Sequence, residues 1–252
     1  MERTLKRLSG HSGSTVLLKE NSKYGVYVEK TGNVSRNFER MTALAEKNFR
    51  VPKIYEYSAE EEILKMEYIS GLDMRTYLRY NPPNKLIDFI NLVLENLEYS
   101  TRFLDVRGLV QEPLKFLDTD NPFVFSKDEL IASLPISMRE TEYIGDLTLD
   151  NILWDDSSGF VIIDPVTVPY QSFIFDLAKL RQDTKCGWFL RNHTQDNNLL
   201  LAMRRMDEMI LSQFPQVTDE LLILMLLRVF KHCEKNSPDY QFIIQKANSL
   251  WK

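Results

Sequence analysis

Two aspartates and an asparagine near the middle of the chain carry the oxygen atoms that phosphoryl transfer requires. Asp146 and Asn151 lie in Ile144-Gly145-Asp146-Leu147-Thr148-Leu149-Asp150-Asn151-Ile152-Leu153, which leads into an apolar, strand-like run. Asp164 ends a second run, Phe160-Val161-Ile162-Ile163-Asp164-Pro165, after a polar turn. We expect the two runs to form a β-hairpin. Such a hairpin would bring the three side chains to one end of a small sheet.

These residue types suit a reaction in which ATP, bound with magnesium, donates a phosphate. Magnesium takes oxygen ligands and keeps several waters, so Asn151 and Asp164 suffice as its predicted protein ligands. Asp146 is the predicted catalytic residue, which accepts a hydrogen bond from the substrate hydroxyl and orients it toward the γ-phosphate. Each residue alone is typical of an ordinary turn or strand end. Only their joint spacing indicates this chemistry.

A small polar turn near the N-terminus is a candidate for binding phosphate. It reads Ser9-Gly10-His11-Ser12-Gly13-Ser14 and lies between two predicted strands. The backbone N–H groups of Ser12, Gly13 and Ser14 could point at phosphate oxygens. An ordinary hairpin turn remains the alternative. The segment is not a Walker loop, because its glycine-to-lysine spacing differs and a strand follows it instead of a helix.

A lysine on the following strand is the candidate partner of the α- and β-phosphates. Lys30 ends Val26-Tyr27-Val28-Glu29-Lys30. We expect Glu39, on the next helix, to pair with Lys30 and hold it extended, with Glu46 as the second choice. Further along, Leu64–Gly71 is the predicted connection between two lobes. Adenine would bond there to backbone groups near Glu67 and Ile69.

The wider pattern predicts an α+β protein of two lobes around a cleft. Residues 1–69 form a small antiparallel-sheet N-lobe and residues 70–252 a larger helical C-lobe. Strands are predicted over 3–8, 15–19, 25–30, 54–57 and 63–68, a helix capped by Ser35 over 35–48, further helices over 74–80, 85–105, 127–138, 176–181, 197–213, 219–235 and 240–251, and the hairpin over 151–164.

Composition narrows the class of protein further. Of 252 residues, 44% are hydrophobic and 27% charged, which is ordinary for a soluble globular chain. The net charge of -5 argues against a nucleic-acid binder. Leu221–Leu227 is apolar but too short to span a bilayer, so it predicts a buried helix. The N-terminus lacks the apolar run of a signal peptide, and Cys186 and Cys233 show no metal-ligand spacing, so we expect a cytoplasmic protein.

Five segments resemble the aminoglycoside phosphotransferase and choline kinase superfamily, which shares the protein-kinase fold. One of them is Ser35–Ile54, which is similar to a helix of that family followed by a proline-led strand. Gly145–Leu153 resembles the catalytic loop of that family, and Ile162-Ile163-Asp164-Pro165 its metal-binding motif. Phe175–Leu180 is similar to the helix start that follows, and Met66–Gly71 to the hinge. The resemblance covers roughly residues 5–182.

The resemblance implies a role for each matched residue. Asp146 would be the catalytic base or orienting group, and Asn151 and Asp164 the magnesium ligands. Lys30 with Glu39 would hold phosphate, while Asp176 would brace the catalytic loop by hydrogen bonds. One departure matters, because the family usually has a histidine two residues before the catalytic aspartate, where this chain has Ile144. That departure keeps a catalytically weak or inactive nucleotide-binding module as an alternative.

The acceptor is predicted to be a small hydroxylated molecule. Only residues 165–175 separate Asp164 from Asp176, which leaves little room for the peptide platform of a protein kinase. The helical segments before Asp146 and after Asp176 would instead supply specificity. A sugar, an amino sugar, an amino alcohol and a glycan precursor all remain open. Nucleotidyl transfer, with the nucleotide bound in reverse, is a further alternative.

Overall fold

The computed structural model describes residues 2–8, 14–193 and 196–252. Contacts between residues divide the chain into two compact units. The first unit comprises Met1–Tyr77 with Asp150–Val168, and the second comprises Leu78–Leu149 with Pro169–Lys252. The division into lobes at residues 69 and 70 stays a prediction.

An antiparallel five-stranded sheet forms most of the first unit. Its strands are β1 (Arg3–Leu8), β2 (Thr15–Asn21), β3 (Gly25–Thr31), β4 (Ile54–Ser58) and β5 (Ile63–Glu67), in the order β1-β2-β3-β5-β4. Helix α1 (Ser35–Glu46) lies between β3 and β4 in the chain. The apolar side chains of the sheet and of α1 form one core, which includes Val28, Met41, Leu64 and Met66.

The start of α1 differs from its prediction. Val34 occupies the N-cap, Ser35 is the first helical residue, and no side chain caps the helix. Backbone N–H groups of Asn37 and Phe38 bond to the carbonyl of Val34. The predicted cap at Ser35 is therefore wrong, because Ser35 lies within the helix and the buried Val34 holds the N-cap position.

A smaller sheet completes the first unit and contains the predicted hairpin. It consists of β6 (Leu72–Asp73), β9 (Ile152–Asp155) and β10 (Gly159–Ile162), in the order β10-β9-β6. Strand β6 reaches β9 at close range, since a Cβ on Gly71 would lie 2.3 Å from the carbonyl oxygen of Trp154. Helix α2 (Met74–Tyr80) follows β6, and its Tyr77 ring packs on Trp154 and Phe160.

The second unit is mainly helical. Its elements are α3 (Asn84–Glu95), β7 (Tyr99–Asp105), α4 (Val106–Gln111), α5 (Lys127–Ser133), β8 (Ser137–Thr141), α6 (Phe173–Thr184), α7 (Asn197–Gln213), α8 (Asp219–Phe230) and α9 (Pro238–Leu250). Short 3₁₀ helices lie at Lys115–Asp118 and Trp188–Leu190, and a third is formed by Leu149–Asn151 where the two units meet in sequence. The predicted buried helix around Leu221–Leu227 is confirmed, because all seven of those residues are buried.

Two predicted helices are partly strands. The segment 85–105 is helical only to Glu95 and then forms β7, while 127–138 is helical only to Ser133. Leu134 precedes Pro135 and has the extended backbone that a following proline favours. Strand β8 then pairs with β7, a contact between segments far apart in sequence.

Fold class matches the expectation. Within the described residues, nine α-helices and an antiparallel five-stranded sheet give a mixed α and β architecture. Among the described residues, none of the helices combines the length and the apolar character that a membrane span needs.

Candidate functional site

A buried lysine and a solvent-reachable aspartate meet in the first unit. Lys30 lies on β3 and Asp164 two residues beyond the end of β10. The Lys30 ammonium is 2.6 Å from the Asp164 Oδ1 atom, although the residues are 134 positions apart. The lysine side chain is 4% exposed and the aspartate side chain 42% exposed. Because burial of an ammonium is costly without a partner, the aspartate stabilises the lysine there.

The first turn of α1 fixes the segment that carries Asp164. Asn37 Nδ2 donates to Asp164 Oδ1 at 2.8 Å and to the Pro165 carbonyl at 2.9 Å. Arg36 Nε donates to the Thr167 carbonyl, and the Thr167 N–H donates back to the Arg36 carbonyl. These bonds hold Asp164 at a φ of 53°, in the left-handed region that aspartate tolerates better than most residues.

The predicted pair between Lys30 and Glu39 does not form within the described residues. Glu39 and Glu46 are both exposed on α1. The buried face of this helix carries Asn37, Met41 and Leu44. With 3.6 residues per turn, Glu39 lies about 200° around the helix from Asn37. Asp164 is therefore the carboxylate beside Lys30, and α1 contributes an amide at that point.

Asn151 lies at the same end of the hairpin as Asp164. Ile152 is paired with Ile162, and the Asn151 carbonyl accepts a bond from the Ile163 N–H at 2.8 Å. The register thus places Asn151 opposite the residue before Asp164. Arg75, on α2, forms an ion pair with Asp150 and supports the residue before Asn151.

The oxygen groups at this end of the hairpin fit magnesium by their chemistry. Magnesium binds oxygen ligands and is usually held by one or two carboxylates together with phosphates and waters. Asp164 provides a carboxylate that solvent reaches, and Asn151 provides a neutral amide oxygen. The described residues contain no group of three or more His, Cys, Asp or Glu able to hold a metal. Magnesium coordination by Asn151 and Asp164 stays a prediction.

The structure describes only some of the predicted nucleotide-binding residues. Ser12 and Gly13 lie outside the described residues, while the Ser14 hydroxyl donates to the Gly32 carbonyl at 2.6 Å. Glu67 ends β5 and Ile69 is buried. Their roles toward nucleotide stay predictions.

Arg50 holds the carboxylate of Glu67 through two hydrogen bonds. Its Nη atoms lie 2.9 and 3.0 Å from the Glu67 oxygens, and the Lys53 N–H donates to the same carboxylate. The bonds from Arg50 lower the pKa of Glu67 below its usual range, assisted by Lys53 and opposed by burial. Glu67 is therefore an anchored side chain, and its backbone N–H donates to the Lys53 carbonyl.

In the second unit, α6 holds the loop that carries Asp146. Asp176 accepts hydrogen bonds from the N–H groups of Ile144 and Gly145, at 2.5 and 2.8 Å. Asp183 accepts one from the N–H of Leu149 at 2.7 Å. These bonds are the bracing contacts expected of Asp176, and Asp183 adds a second support at the other end of the loop.

A lysine between those two acids reaches Asp146 itself. Lys179 Nζ is 3.4 Å from Asp146 Oδ1. Because Asp176, Lys179 and Asp183 are three and four residues apart, they share one face of α6. The Ile144 side chain is buried, and its N–H bonds to Asp176.

Sequence reasoning missed Asn37, Lys179 and Asp183. The spacing of Asp176, Lys179 and Asp183 was a usable signal, since three charged residues on one face of a helix that begins with apolar residues need partners when that face is buried. Asn37 gave no comparable signal. Arg181 faces elsewhere and has structural partners, namely Asp207, Asp219 and the Val217 carbonyl.

The cysteines do not supply an alternative nucleophile. Both are unpaired thiols, and Cys186 is buried. Burial raises the pKa of the Cys186 thiol to about 12. A thiol with such a pKa is not the thiolate that nucleophilic catalysis uses.

The three central residues are divided between the two units. Asn151 and Asp164 belong to the first unit, and Asp146 belongs to the second. Convergence of all three on one substrate stays a prediction.

No family model and no curated protein sequence matches the chain. Solved structures match its fold. A choline kinase, LicA, from Streptococcus pneumoniae is 13% identical with a TM-score of 0.56, over 99% of this chain and 92% of that one. Another structure of LicA is a complex with AMP.

Two other kinases give comparable matches. An ethanolamine kinase from Plasmodium vivax is 13% identical with a TM-score of 0.55, over 97% of this chain and 80% of that one. The phosphotransferase APH(2")-IIIa, solved with GDP and kanamycin, is 12% identical with a TM-score of 0.55, over 99% and 91%. The chain therefore has the kinase-like fold of these solved structures, as its sequence motifs predicted.

Proposed function

We propose that this protein is a phosphotransferase that moves the γ-phosphate of ATP, bound with magnesium, to a hydroxyl group of a small molecule. The observation that carries the proposal is the 2.6 Å contact between Lys30 and Asp164 in a chain with a kinase-like fold. It joins a buried cation, suited to phosphate oxygens, to a carboxylate suited to magnesium. The bracing of the Asp146 loop by α6 gives independent support.

The residues divide the work between donor and acceptor. Lys30 would bind the α- and β-phosphates, and Asn151 and Asp164 would hold magnesium. When bound, magnesium neutralises charge on the phosphate oxygens. The backbone of Ser12, Gly13 and Ser14 would contact phosphate, and backbone groups near Glu67 and Ile69 would contact the base.

Asp146 would act on the acceptor. Its carboxylate accepts the hydrogen bond of the reacting hydroxyl and aims the oxygen at phosphorus, which is the main protein contribution when the transition state is loose. The acceptor oxygen forms a bond to the γ-phosphorus. At the same time the bond breaks between that phosphorus and the oxygen that bridges the β- and γ-phosphates. The products are a phosphate monoester and ADP, and the hydroxyl proton leaves through Asp146.

The acceptor class rests on the short connection between Asp164 and Asp176. Residues 165–175 leave little chain for a peptide platform. Ethanolamine, choline and kanamycin, named with the matching structures, are all small hydroxylated molecules that carry amino or quaternary ammonium groups, and this supports a small acceptor here. A nucleic-acid acceptor does not suit the net charge of -5. We also propose a cytoplasmic location, where ATP is available.

The second candidate is a nucleotide-binding module without turnover. Ile144, in place of the histidine usual in the family, favours it. However, the backbone of Ile144 retains its bond to Asp176, so the bracing of the loop does not depend on an imidazole.

Product mass decides between the candidates. The protein is incubated with magnesium, ATP and a panel of amino alcohols, amino sugars and neutral sugars. The proposal predicts an acceptor that gains one phosphate, with ADP formed in equal amount. Gain of a nucleotide would establish nucleotidyl transfer. Binding of Mg·ATP without any change of ATP or acceptor would favour the module.

A further inference from the structure

Lys179 is a buried cation directed at the proposed catalytic carboxylate. Its side chain is 9% exposed, whereas that of Asp146 is 34% exposed. The lysine lies on α6, all of whose residues are buried. The aspartate lies on the loop before Asn151. A flexible lysine is rarely buried unless it is paired, so this contact requires an explanation.

The loop itself provides no positive charge. Residues 144–151 contain Asp146 and Asp150 but no lysine or arginine. A carboxylate that orients a hydroxyl beside a phosphoryl group is repelled by the phosphate oxygens. A nearby cation offsets that repulsion and holds the carboxylate in one orientation.

The position of Lys179 on α6 explains how its side chain can hold the Asp146 carboxylate with little conformational freedom. Asp176 and Asp183 bond to backbone N–H groups at both ends of the loop, and Lys179 lies between them on the same helical face. The backbone of the loop and the side chain of Asp146 are thereby both held by one rigid element, α6. A site built on a helix is held more closely than one built on loops alone.

We infer that Lys179 is a positioning residue, which holds the Asp146 carboxylate in the orientation that phosphoryl transfer requires. The inference rests on the proposed function and adds to it a residue that acts through Asp146. It differs from a purely structural role because Lys179 would affect the chemical step and leave folding and nucleotide binding unchanged.

Three variants test this inference. Lys179→Met removes the charge but keeps length and apolar volume, and Lys179→Arg keeps the charge. Lys185→Met is the matched control, because Lys185 follows α6 directly and pairs with Asp219 at 3.2 Å, away from the loop. We expect Lys179→Met to lower kcat by about 30-fold with KM for ATP within about twofold, as for other groups that act only in the chemical step.

The other two variants should behave differently. Lys179→Arg should recover kcat to within about fivefold of the wild type, and Lys185→Met should stay within about twofold. The melting temperature and the Kd for Mg·ATP are measured for every variant. Wild-type kcat in Lys179→Met overturns the inference while the proposed function stands. A fall in kcat accompanied by an equal loss of ATP binding or of folding also overturns it.

A double-mutant cycle separates action through Asp146 from direct contact with substrate. If Lys179 acts through Asp146, adding Lys179→Met to Asp146→Asn should lower the residual rate by less than about threefold. An equal loss in both backgrounds would show direct action on substrate and overturn the inference. A wild type that transfers no phosphate to any acceptor would remove both the proposed function and the inference.

Discussion

At the scale of single residues, Asn37 has an unusual position. It is buried, and its one amide nitrogen serves both the Asp164 carboxylate and the following carbonyl of Pro165. Asp164 needs such support because its left-handed φ precedes a proline, which restricts the preceding backbone. Asn37 and Lys30 together fix both the charge environment and the orientation of the proposed magnesium ligand.

Replacing Asn37 with aspartate should therefore be costly. Asn37→Asp removes both hydrogen bonds and puts a second carboxylate beside Asp164, so we expect a loss of about 2–4 kcal/mol in the free energy of unfolding. Urea denaturation monitored by circular dichroism measures it. Asn192→Asp is the control, since Asn192 is exposed and should change stability by less than about 0.5 kcal/mol. Equal losses in the two variants would contradict this role of Asn37.

At the scale of elements, the proposed functional side chains are held by helices and by a β-hairpin. These elements contact segments that are distant in the sequence. Arg50 is an example in the first unit. Its guanidinium binds Glu67 at the end of β5 and lies near the Ser158 hydroxyl in the turn between β9 and β10. Its carbonyl also accepts the N–H of Ile162 on β10. Arg50 thus joins the end of strand β5 to the hairpin that carries Asn151 and Asp164.

The pair of Arg50 and Glu67 gives a pH-dependent prediction. Because the pKa of Glu67 is lowered in the folded state, the unfolded state binds more protons between that lowered pKa and about 4.5. The stabilisation is therefore present above about pH 4.5 and lost as the pH falls through the folded pKa. Arg50→Met should cost about 1 kcal/mol at pH 7 and less as the pH falls below 4.

Denaturant titrations across pH check this expectation. Arg102→Met is the control, because Arg102 makes an exposed ion pair with Glu140 and should contribute less than about 0.5 kcal/mol. A cost for Arg50→Met that stays constant from pH 7 to pH 3 would rule out an electrostatic origin.

At the scale of the whole molecule, elements that depend on local sequence pattern were predicted better than elements that depend on pairing between distant strands. The bounds of Met74–Tyr80 and Asn197–Gln213, and the hairpin over 151–164, could be predicted because periodicity and turns encode them. Strands β7 and β8 could not, since each is stabilised by a partner about 35 residues away. Because the helical pattern before residue 96 is clear, the predicted helix over 85–105 was extended beyond its end at Glu95.

The candidate site shows the same difference between residues in a local motif and contacts that are distant in sequence. Asp146, Asn151, Asp164 and Asp176 could be proposed from a compact motif. The partner of Lys30 could not, because Asp164 lies 134 positions away and is brought to β3 by packing. The apolar residues Met41 and Leu44 do indicate which face of α1 is buried. The acid at position 39 lies on the other side and faces solvent, while Asn37 faces Asp164.

The first unit is discontinuous in sequence, which predicts how fragments behave. Residues 2–77 alone would lack β9 and β10, the aromatic partners of Tyr77 and the carboxylate beside Lys30. We expect a fragment of 1–77 to be less stable by several kcal/mol than one in which a Gly/Ser linker joins 1–77 to 150–168. Thermal unfolding by circular dichroism compares them. Equal melting temperatures would contradict the assignment of 150–168 to this unit.

The central claim is that Asp146 directs a hydroxyl of a small molecule to the γ-phosphate, and a matched pair of Asp→Asn variants tests it most directly. Transfer of labelled γ-phosphate is measured in the wild type, in Asp146→Asn and in Asp156→Asn, whose side chain accepts a bond from Trp154 that asparagine can keep. We predict that Asp146→Asn lowers kcat by about 10²–10⁴-fold and leaves Mg·ATP binding intact, while Asp156→Asn matches the wild type. Transfer by Asp146→Asn at the wild-type rate would contradict the account.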